Sequence, residues 1–425
     1  MRIKYCVPII VYDIAVVGAG PAGAMAAIRS AQLKKNVVLI ERNDSIGKKI
    51  LLTGKGRGNV TNSAPLETFI KKFGKQGAFL KSAFFAFFNQ DLIDFFKSKG
   101  LELKIERQGR VFPVTDSAHS IVEVLKRYLA ENKIEILYNM RLLDIKRKEG
   151  FFQLHLEGNG KIDAKKVILA TGGASFKITG STGDGFRIAR RLGHTVVPLK
   201  PALVPLRTKE SWVKELQGLS LKNIRITFEY GEKKMVSDVG EFIFTHFGVS
   251  GPLVLDLSGN LIAILEEHKE VHLVIDLKPG LNLEQLENRL LNEFNARGNT
   301  QLKNIMKSLL PHRLIPVFIR LSALQPERKA NQITKEERRS IVSLLKALPL
   351  TIIGSLPIEE AMVTNGGIST KEINPRAMES KIIPGLYFAG EIIDGCASSG
   401  GYNLQQAFST GYLAGEKAAQ SCSSG

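Results

Sequence analysis

The 425-residue sequence predicts an α/β protein with one layered domain split by an insertion, the insertion having a β-rich part and a helical part. Three observations lead there. From residue 12 to about 195, short apolar runs alternate with amphipathic stretches, as strands and helices do in a layered domain. From about 203 to 277 the character shifts to short β-rich runs separated by glycine-containing turns, and from 281 to 348 to apolar positions spaced three and four apart. After Pro349, strand-like runs return at 361–364 and 386–389, followed by a last helical stretch at 404–419 that carries no domain of its own and is expected to pack back on the first.

The first element carries the most specific pattern of the chain. An apolar run at 14–17 meets Gly18-Ala19-Gly20-Pro21-Ala22-Gly23, a helical pattern follows at 24–31, and a second apolar run at 37–40 ends at Glu41. Gly18 permits the tight turn, Gly20 lets the backbone approach a pyrophosphate, and Gly23 lets helix and strand pack closely. Ala22 sits at the helix N-terminus, where free N–H groups and the helix dipole favour phosphate. Glu41 stands where an acid accepts from a ribose 2′-OH and repels a 2′-phosphate, and Arg42 flanks the adenine. The expected boundaries are 1–195 plus 355–425 for a discontinuous three-layer nucleotide domain, 196–280 for a β-barrel-like insertion and 281–354 for its helical part. Asn282 is placed to cap the first helix of that part.

Composition narrows the class. Apolar residues make up 44% and charged residues 24%, the proportions of a globular domain, and no apolar run reaches the length of a membrane helix. The amino terminus, with Arg2, Lys4 and Cys6, faintly imitates a secretory signal, but the first strand follows at once. It reads as a short extension, and the three cysteines without metal or disulfide spacing agree with a cytoplasmic protein. Lys and Arg exceed Asp and Glu by 18, which would suit a nucleic-acid surface, yet the excess is scattered and never interleaved with aromatics. Composition alone therefore favours a solvated basic face, and a nucleic-acid partner is not expected.

Later segments turn the dinucleotide from NAD to FAD as the resident cofactor. A buried strand at 167–170 runs into Thr171-Gly172-Gly173, whose small residues allow backbone contact; Ala170, Thr171 and Gly172 are assigned to the diphosphate. A strand at 386–389 ends in Gly390-Glu391, with the carboxylate placed to hold the ribityl chain. Gly400-Gly401 then opens a helix, aiming Asn403, Leu404 and Gln405 at the isoalloxazine edge. Leu142, in the strand-like run after Asn139, would meet the adenine through its backbone.

These segments resemble the BaiN-like family of bacterial FAD-dependent oxidoreductases over nearly the whole length. The resemblance rests on the glycine turn with Glu41-Arg42, on Gly54-Lys55-Gly56-Arg57-Gly58-Asn59-Val60-Thr61-Asn62, on Gly109-Arg110-Val111-Phe112-Pro113, and on Phe244-Thr245-His246-Phe247-Gly248-Val249-Ser250-Gly251-Pro252. Val363-Thr364-Asn365-Gly366-Gly367 and the stretch 390–405 extend it. It implies an FAD-binding Rossmann-like fold with an inserted barrel-like and helical region, and it adds Lys49, Leu51 and Asn59 to the cofactor contacts. Two positions depart from the pattern: Gly58 replaces a common Cys, and Cys396 stands where relatives carry an acid.

The resemblance, with an analogy between 170–185 and fumarate-reductase-type flavoproteins, implies hydride transfer from NADH or NADPH, a transient donor, to an activated C=C bond of a small molecule, or the reverse. No catalytic residue is assigned and no metal site is expected. Tyr402, His246 and Cys396 are candidates for supplying a proton, and Arg57 and Arg110 for clamping a carboxylate. A flavin-binding sensor without turnover and an RNA-modifying flavoprotein are the alternatives.

Overall fold

The computed structural model describes residues 11–422; the amino-terminal extension with Cys6 lies outside them. Two compact units emerge, one formed by the chain up to Ala202 together with the chain from Ile358 on, the other by Leu203–Pro357.

In the first unit, β1 (Val11–Val17), α1 (Pro21–Gln32) and β2 (Val37–Ile40) form the opening β-α-β turn. A small antiparallel sheet follows, β3 (Thr61–Asn62), β4 (Leu103–Ile105) and β5 (Arg110–Pro113), with β5 central. Between β3 and β4 come α2 (Leu66–Lys72), α3 (Gly77–Ala86) and α4 (Asn89–Lys97). Then α5 (Ala118–Glu131) precedes β6 (Glu135–Leu137), β7 (Leu142–Arg147), β8 (Phe152–Leu156) and β9 (Lys161–Leu169). Next are α6 (Asp184–Arg191) and β10 (Val196–Ala202).

The main sheet runs β6-β2-β1-β9, all parallel. Long β9 has two partners on its far edge: its first half pairs antiparallel with β8, itself paired with β7, and its last residues pair parallel with a strand from the end of the chain. Ile14, Ala15, Val16, Val38, Leu39, Val167 and Ile168 are fully buried, as continuous apolar runs in a sheet covered on both faces must be.

The second unit is an antiparallel barrel with helices. Its strands are β11 (Leu206–Thr208), β12 (Ser220–Tyr230), β13 (Lys233–Val236), β14 (Gly240–Phe244), β15 (Gly248–Ser250), β16 (Val271–Asp276) and β17 (Leu348–Ser355). The order β12-β14-β15-β11-β17-β16 closes because β16 also pairs with β12, while β13 extends β12 as a hairpin. Closure removes the exposed edges that an open sheet would carry. Helix α7 (Pro252–His268) lies in sequence between β15 and β16; α8 (Leu283–Ala296), α9 (Leu302–Ile305), α10 (Ile315–Leu321) and α11 (Lys335–Lys346) precede β17. Strands and helices share one core, from Phe228 and Phe242 to Leu290 and Phe318.

The chain then returns to the first unit as β18 (Val363–Ile368), β19 (Leu386–Phe388) and α12 (Tyr402–Ser421). Helix α12 packs on α1: a Cβ at Gly411 would stand 2.2 Å from the Ala22 carbonyl oxygen, and Ser30 Oγ donates to Gly415 O at 3.0 Å.

Two boundaries and one element differ from the sequence expectation. The run from Val196 belongs to the first unit, because β10 pairs antiparallel with β18. The helical stretch stops at Lys346, and Leu348–Ser355, which alternates buried and less buried residues, is a barrel strand. The β-rich part contains α7, whose start is marked by Gly251 at φ +94° and Pro252 at the first helical position. Phe84 and Phe88 pack as core around Phe69, whose ring centroid lies 5.5 Å from Phe84 and 4.7 Å from Tyr402; Phe95 and Phe96 of α4 pack instead against Tyr128 and Phe408 in the main core, and Phe85 faces solvent.

Candidate cofactor site

A cleft lies at the carboxyl ends of the parallel strands, lined by Val17, Ile40, Ala170 and Ala389 among others, where ligands bind in open α/β sheets. Every residue that lines it belongs to the first unit. Its middle is the glycine turn. Gly18 has φ +98°, and a Cβ there would meet Ala170 O at 2.5 Å; a Cβ at Gly23 would meet Gly18 O at 1.8 Å. Gly20 is the opposite case, since a Cβ there meets nothing within 4 Å: the backbone is bare toward the cleft. The first helical hydrogen bond of α1 is Ala24 N–H to Gly20 O at 2.9 Å, so the N–H of Ala22, a residue of the cleft lining, precedes it and is left free for an anion.

Glu41, Arg42, Asn43, Met140, Arg141, Leu142 and residues 179–182 form one end. The Glu41 carboxylate is 6% exposed and already employed. Oε2 accepts from Ala19 N–H at 2.7 Å, and Oε1 accepts from Asn43 N–H at 2.8 Å and Asn43 Nδ2 at 2.7 Å. Each carboxylate oxygen has two acceptor positions. Glu41 therefore braces the glycine turn and keeps one position on Oε2 for a hydroxyl. Asp184 gathers Arg141 through two 2.8 Å bonds, Arg42 at 3.1 Å and Arg187 at 3.4 Å. The Arg141 hydrogen bonds hold the Asp184 carboxyl down at about 2 against the opposing effect of burial.

The other end is lined by Lys49, Ile50, Thr53, Gly390, Glu391, Asn403, Leu404, Gln406 and Ala407. Lys49 Nζ donates to Glu391 Oε2 at 2.7 Å and to Ser175 Oγ at 2.8 Å, while Glu391 Oε1 also accepts from Thr364 N–H at 2.8 Å. The first helical hydrogen bond of α12 is Gln405 N–H to Gly401 O at 3.1 Å, so the N–H groups of Asn403 and Leu404 precede it at the cleft wall.

Of the cofactor contacts expected from sequence, Gly18, Gly20, Ala22, Glu41, Arg42, Lys49, Leu142, Ala170, Thr171, Gly172, Gly390, Glu391, Asn403 and Leu404 line this cleft. Gly23 acts through packing, as above. Leu51 does not line it; its neighbour Ile50 does, and Leu51 packs against the core. Asn59 sits behind the wall. With its amide oriented to suit its surroundings, it accepts from Gly401 N–H at 2.9 Å and donates to Thr61 O at 3.0 Å, so it fixes the start of α12. Gln405 points into the interior, accepting from Thr61 Oγ1 at 2.6 Å and donating to Ser409 Oγ at 3.0 Å. Gln406 takes its place: it is 2% exposed, lines the cleft, and its Nε2 has no partner among the described residues. Helical spacing was the available signal, since Gln406 is three residues from Asn403 and shares its face. Arg141 and Asp184 were missed as well; their pairing across 43 positions leaves no local signature.

The candidate proton donors and clamps fare differently. Burial, then the charges of Glu391 and Asp394, push the Cys396 thiol up to about 12, which removes it as a nucleophile. His246 is exposed at the β14–β15 turn of the second unit, where Gly248 N–H donates to Thr245 Oγ1. Tyr402 is buried, its ring edge-on to Phe69 and 5.7 Å from Lys72 Nζ. Arg57 is committed to Glu106 and Asp116 and lies 4.2 Å over the Phe112 ring.

The fit to a dinucleotide with a long second half rests on this structure. A bare glycine backbone and a helix N-terminus stand at mid-cleft, a second helix N-terminus stands at one end, and two polar atoms in the wall, Thr171 Oγ1 and Gln406 Nε2, lack a partner among the described residues. The fold and site are those of a nucleotide-binding α/β enzyme. Residues 12–417 match the HI0933-like protein Rossmann domain, and the chain belongs to that family, the one to which its motifs point. It is 32% identical to the 3-dehydro-bile acid delta(4,6)-reductase of Clostridium scindens over 409 residues, 96% of this chain and 99% of that one. It is 30% identical to the ribosomal RNA dihydrouridine synthase of Escherichia coli, covering 94% and 96%, and 33% identical to that of Haemophilus influenzae, covering 93% and 96%. In fold it is similar to a flavocytochrome c3 fumarate reductase, with TM-score 0.52, 17% identity and coverage of 97% and 78%. It is also similar to the 3-ketosteroid delta1-dehydrogenase of Sterolibacterium denitrificans, with TM-score 0.50, 14% identity and coverage of 97% and 100%.

Proposed function

We propose that this protein is an FAD-dependent oxidoreductase that takes hydride from NADH or NADPH and saturates a C=C bond conjugated to a carbonyl. The observation that carries the proposal is the cleft: a phosphate cradle with arms in two directions, one ending at Glu41 and Arg141, the other at Lys49, Glu391 and the start of α12. Bound FAD supplies two-electron hydride chemistry that no side chain provides. The chain's own residues then bind and orient. The Gly20 backbone and the Ala22 N–H receive the diphosphate, Glu41 Oε2 one ribose hydroxyl, and Glu391 Oε2 a hydroxyl of the linking chain. The N–H groups of Asn403 and Leu404, with the dipole of α12 behind them, favour negative charge at that end of the cleft.

The names of the relatives support the reaction class. A delta(4,6)-reductase and a dihydrouridine synthase act on different molecules, but the steroid enone and the uracil ring share a C=C bond conjugated to a carbonyl. Hydride adds at the carbon β to the carbonyl and a proton at the α carbon.

A second reading narrows the substrate to uridine in ribosomal RNA, and the net charge of +18 favours it. The excess that composition leaves as a solvated face acquires this other meaning beside two relatives named for RNA. One experiment tests both. Flavin-loaded protein with NADH or NADPH is given a 3-oxo-Δ4 steroid or ribosomal RNA transcribed in vitro, and the products are analysed by mass spectrometry. A gain of two hydrogens on the steroid supports the small-molecule reading, and dihydrouridine in the digested RNA supports the second. Neither product with either donor would count against the reaction class.

A further inference from the structure

If the reacting ring is a uracil of RNA, it must leave its stack and reach the flavin at the α12 end of the cleft, while the phosphates on either side of it stay outside. Those phosphates need cations not already neutralised by the protein. The two ends of the cleft differ in this respect. At the Glu41 end, Asp184 occupies Arg42, Arg141 and Arg187. Beside the start of α12, four cations have no carboxylate partner among the described residues: Lys72, Lys75, Arg107 and Arg110.

The contacts that bring these four to that end are specific. Asn62 Nδ2 donates to Gln108 O and to Gly400 O, both at 3.0 Å, and so joins the 107–110 turn to the residues that open α12. Lys72 Nζ stands 5.7 Å from the Tyr402 ring, at the first position of α12. Lys75 adjoins Gln76, whose Nε2 donates to Asp394 at 3.0 Å and whose side chain lies against Gly395. Lys72, Lys75 and Arg107 are exposed. Arg110 spends only its Nε, on Arg107 O at 3.2 Å. Nearby cations are paired in contrast: Arg57 with Glu106 and Asp116, and Lys104 with Asp116.

We infer that Lys72, Lys75, Arg107 and Arg110 form a phosphate-binding rim that takes the RNA backbone on both sides of a base presented to the cleft. The inference rests on the RNA reading above, and its test separates the two. Flavin-loaded protein is titrated against a fluorescein-labelled, uridine-rich single-stranded RNA of about 20 nucleotides across a salt series. Each phosphate contact on a single strand contributes about −0.7 to the slope of log K against log salt. Replacing all four with Gln makes the slope shallower by about 3 and weakens binding at least tenfold at ~0.1 M salt. The paired variants Lys72→Gln/Lys75→Gln and Arg107→Gln/Arg110→Gln each give about half that change, and an unaltered flavin spectrum reports their folding. The control removes the same charge at Lys146, Arg147, Lys148 and Lys161 on the β7–β8 side of the sheet, and keeps the wild-type slope. Wild-type binding that is steep in salt and unchanged in all rim variants overturns the rim while sparing the RNA reading. A control that loses as much as the rim variants overturns it too. Wild-type protein without salt-dependent RNA binding removes both. Phosphatidylserine vesicles that bind as tightly as the RNA, and lose binding in the rim variants, reassign the surface to a membrane.

Discussion

Gln405 and Gln406 differ by one position on α12 and by opposite environments. Gln405 is satisfied by Thr61 and Ser409, whereas Gln406 presents an unpartnered, buried Nε2 to the cleft. An unmade hydrogen bond of that kind costs about 1–3 kcal/mol until a ligand supplies the acceptor. Gln406→Leu is therefore expected to leave the apoprotein as stable or more stable in thermal melts, and to weaken FAD binding about tenfold by fluorescence titration. Cys396, its thiol held up at about 12, stays unmodified when native protein is treated with iodoacetamide at pH 8 and mapped by peptide mass, and reacts after unfolding. Asp184 gives a pH signature. Its folded-state carboxyl lies below the usual 3.8, at about 2, so the stability it contributes is present above pH 4 and is lost as pH falls toward 2. Acid titration of wild type against Asp184→Asn shows the difference between the two shrinking in that window.

At the scale of elements, short-range signals were legible and long-range ones were not. Asn282 was placed as a cap by its position before the apolar spacing of α8. It accepts from Gln285 N–H at 2.8 Å, and the Gln285 side chain accepts from Asn282 N–H at 3.0 Å in return. Asn282→Ala is expected to cost about 1 kcal/mol in chemical denaturation. The glycine turn, β2 and Glu41 could be read because their spacing is fixed within one β-α-β unit. What escaped was pairing over distance. β10 looks like the start of the insertion until its partner β18, more than 160 residues on, is known, and β17 joins the barrel only through β16 and β11. The role of α12 was half legible: its glycine start pointed to the cleft, but not the fit of Gly411 against Ala22. Gly411→Val forces α1 and α12 apart and is expected to destabilise by about 1–3 kcal/mol, lowering the thermal midpoint and loosening the glycine turn that α1 carries.

Across the whole molecule, the first unit alone supplies every residue of the cofactor cleft, and the chain leaves it at Ala202 and returns at Ile358. No helix among the described residues is long and apolar enough to cross a membrane. The charge of +18 was visible at once but ambiguous, because a sum of charges carries no positions; ion pairs such as those of Arg42, Arg141 and Arg57, and the lack of a carboxylate partner among the described residues at Lys72, Lys75, Arg107 and Arg110, divide it into neutralised and available parts. The proposed reaction needs a flavin in the cleft and a nicotinamide that reduces it. The most direct measurement is an anaerobic absorbance titration of the purified protein with NADH and then NADPH, with the released cofactor identified by mass. The prediction is a yellow protein carrying FAD whose visible band bleaches within seconds of adding one of the two donors. A colourless protein that cannot be reconstituted with FAD would contradict the account at its centre.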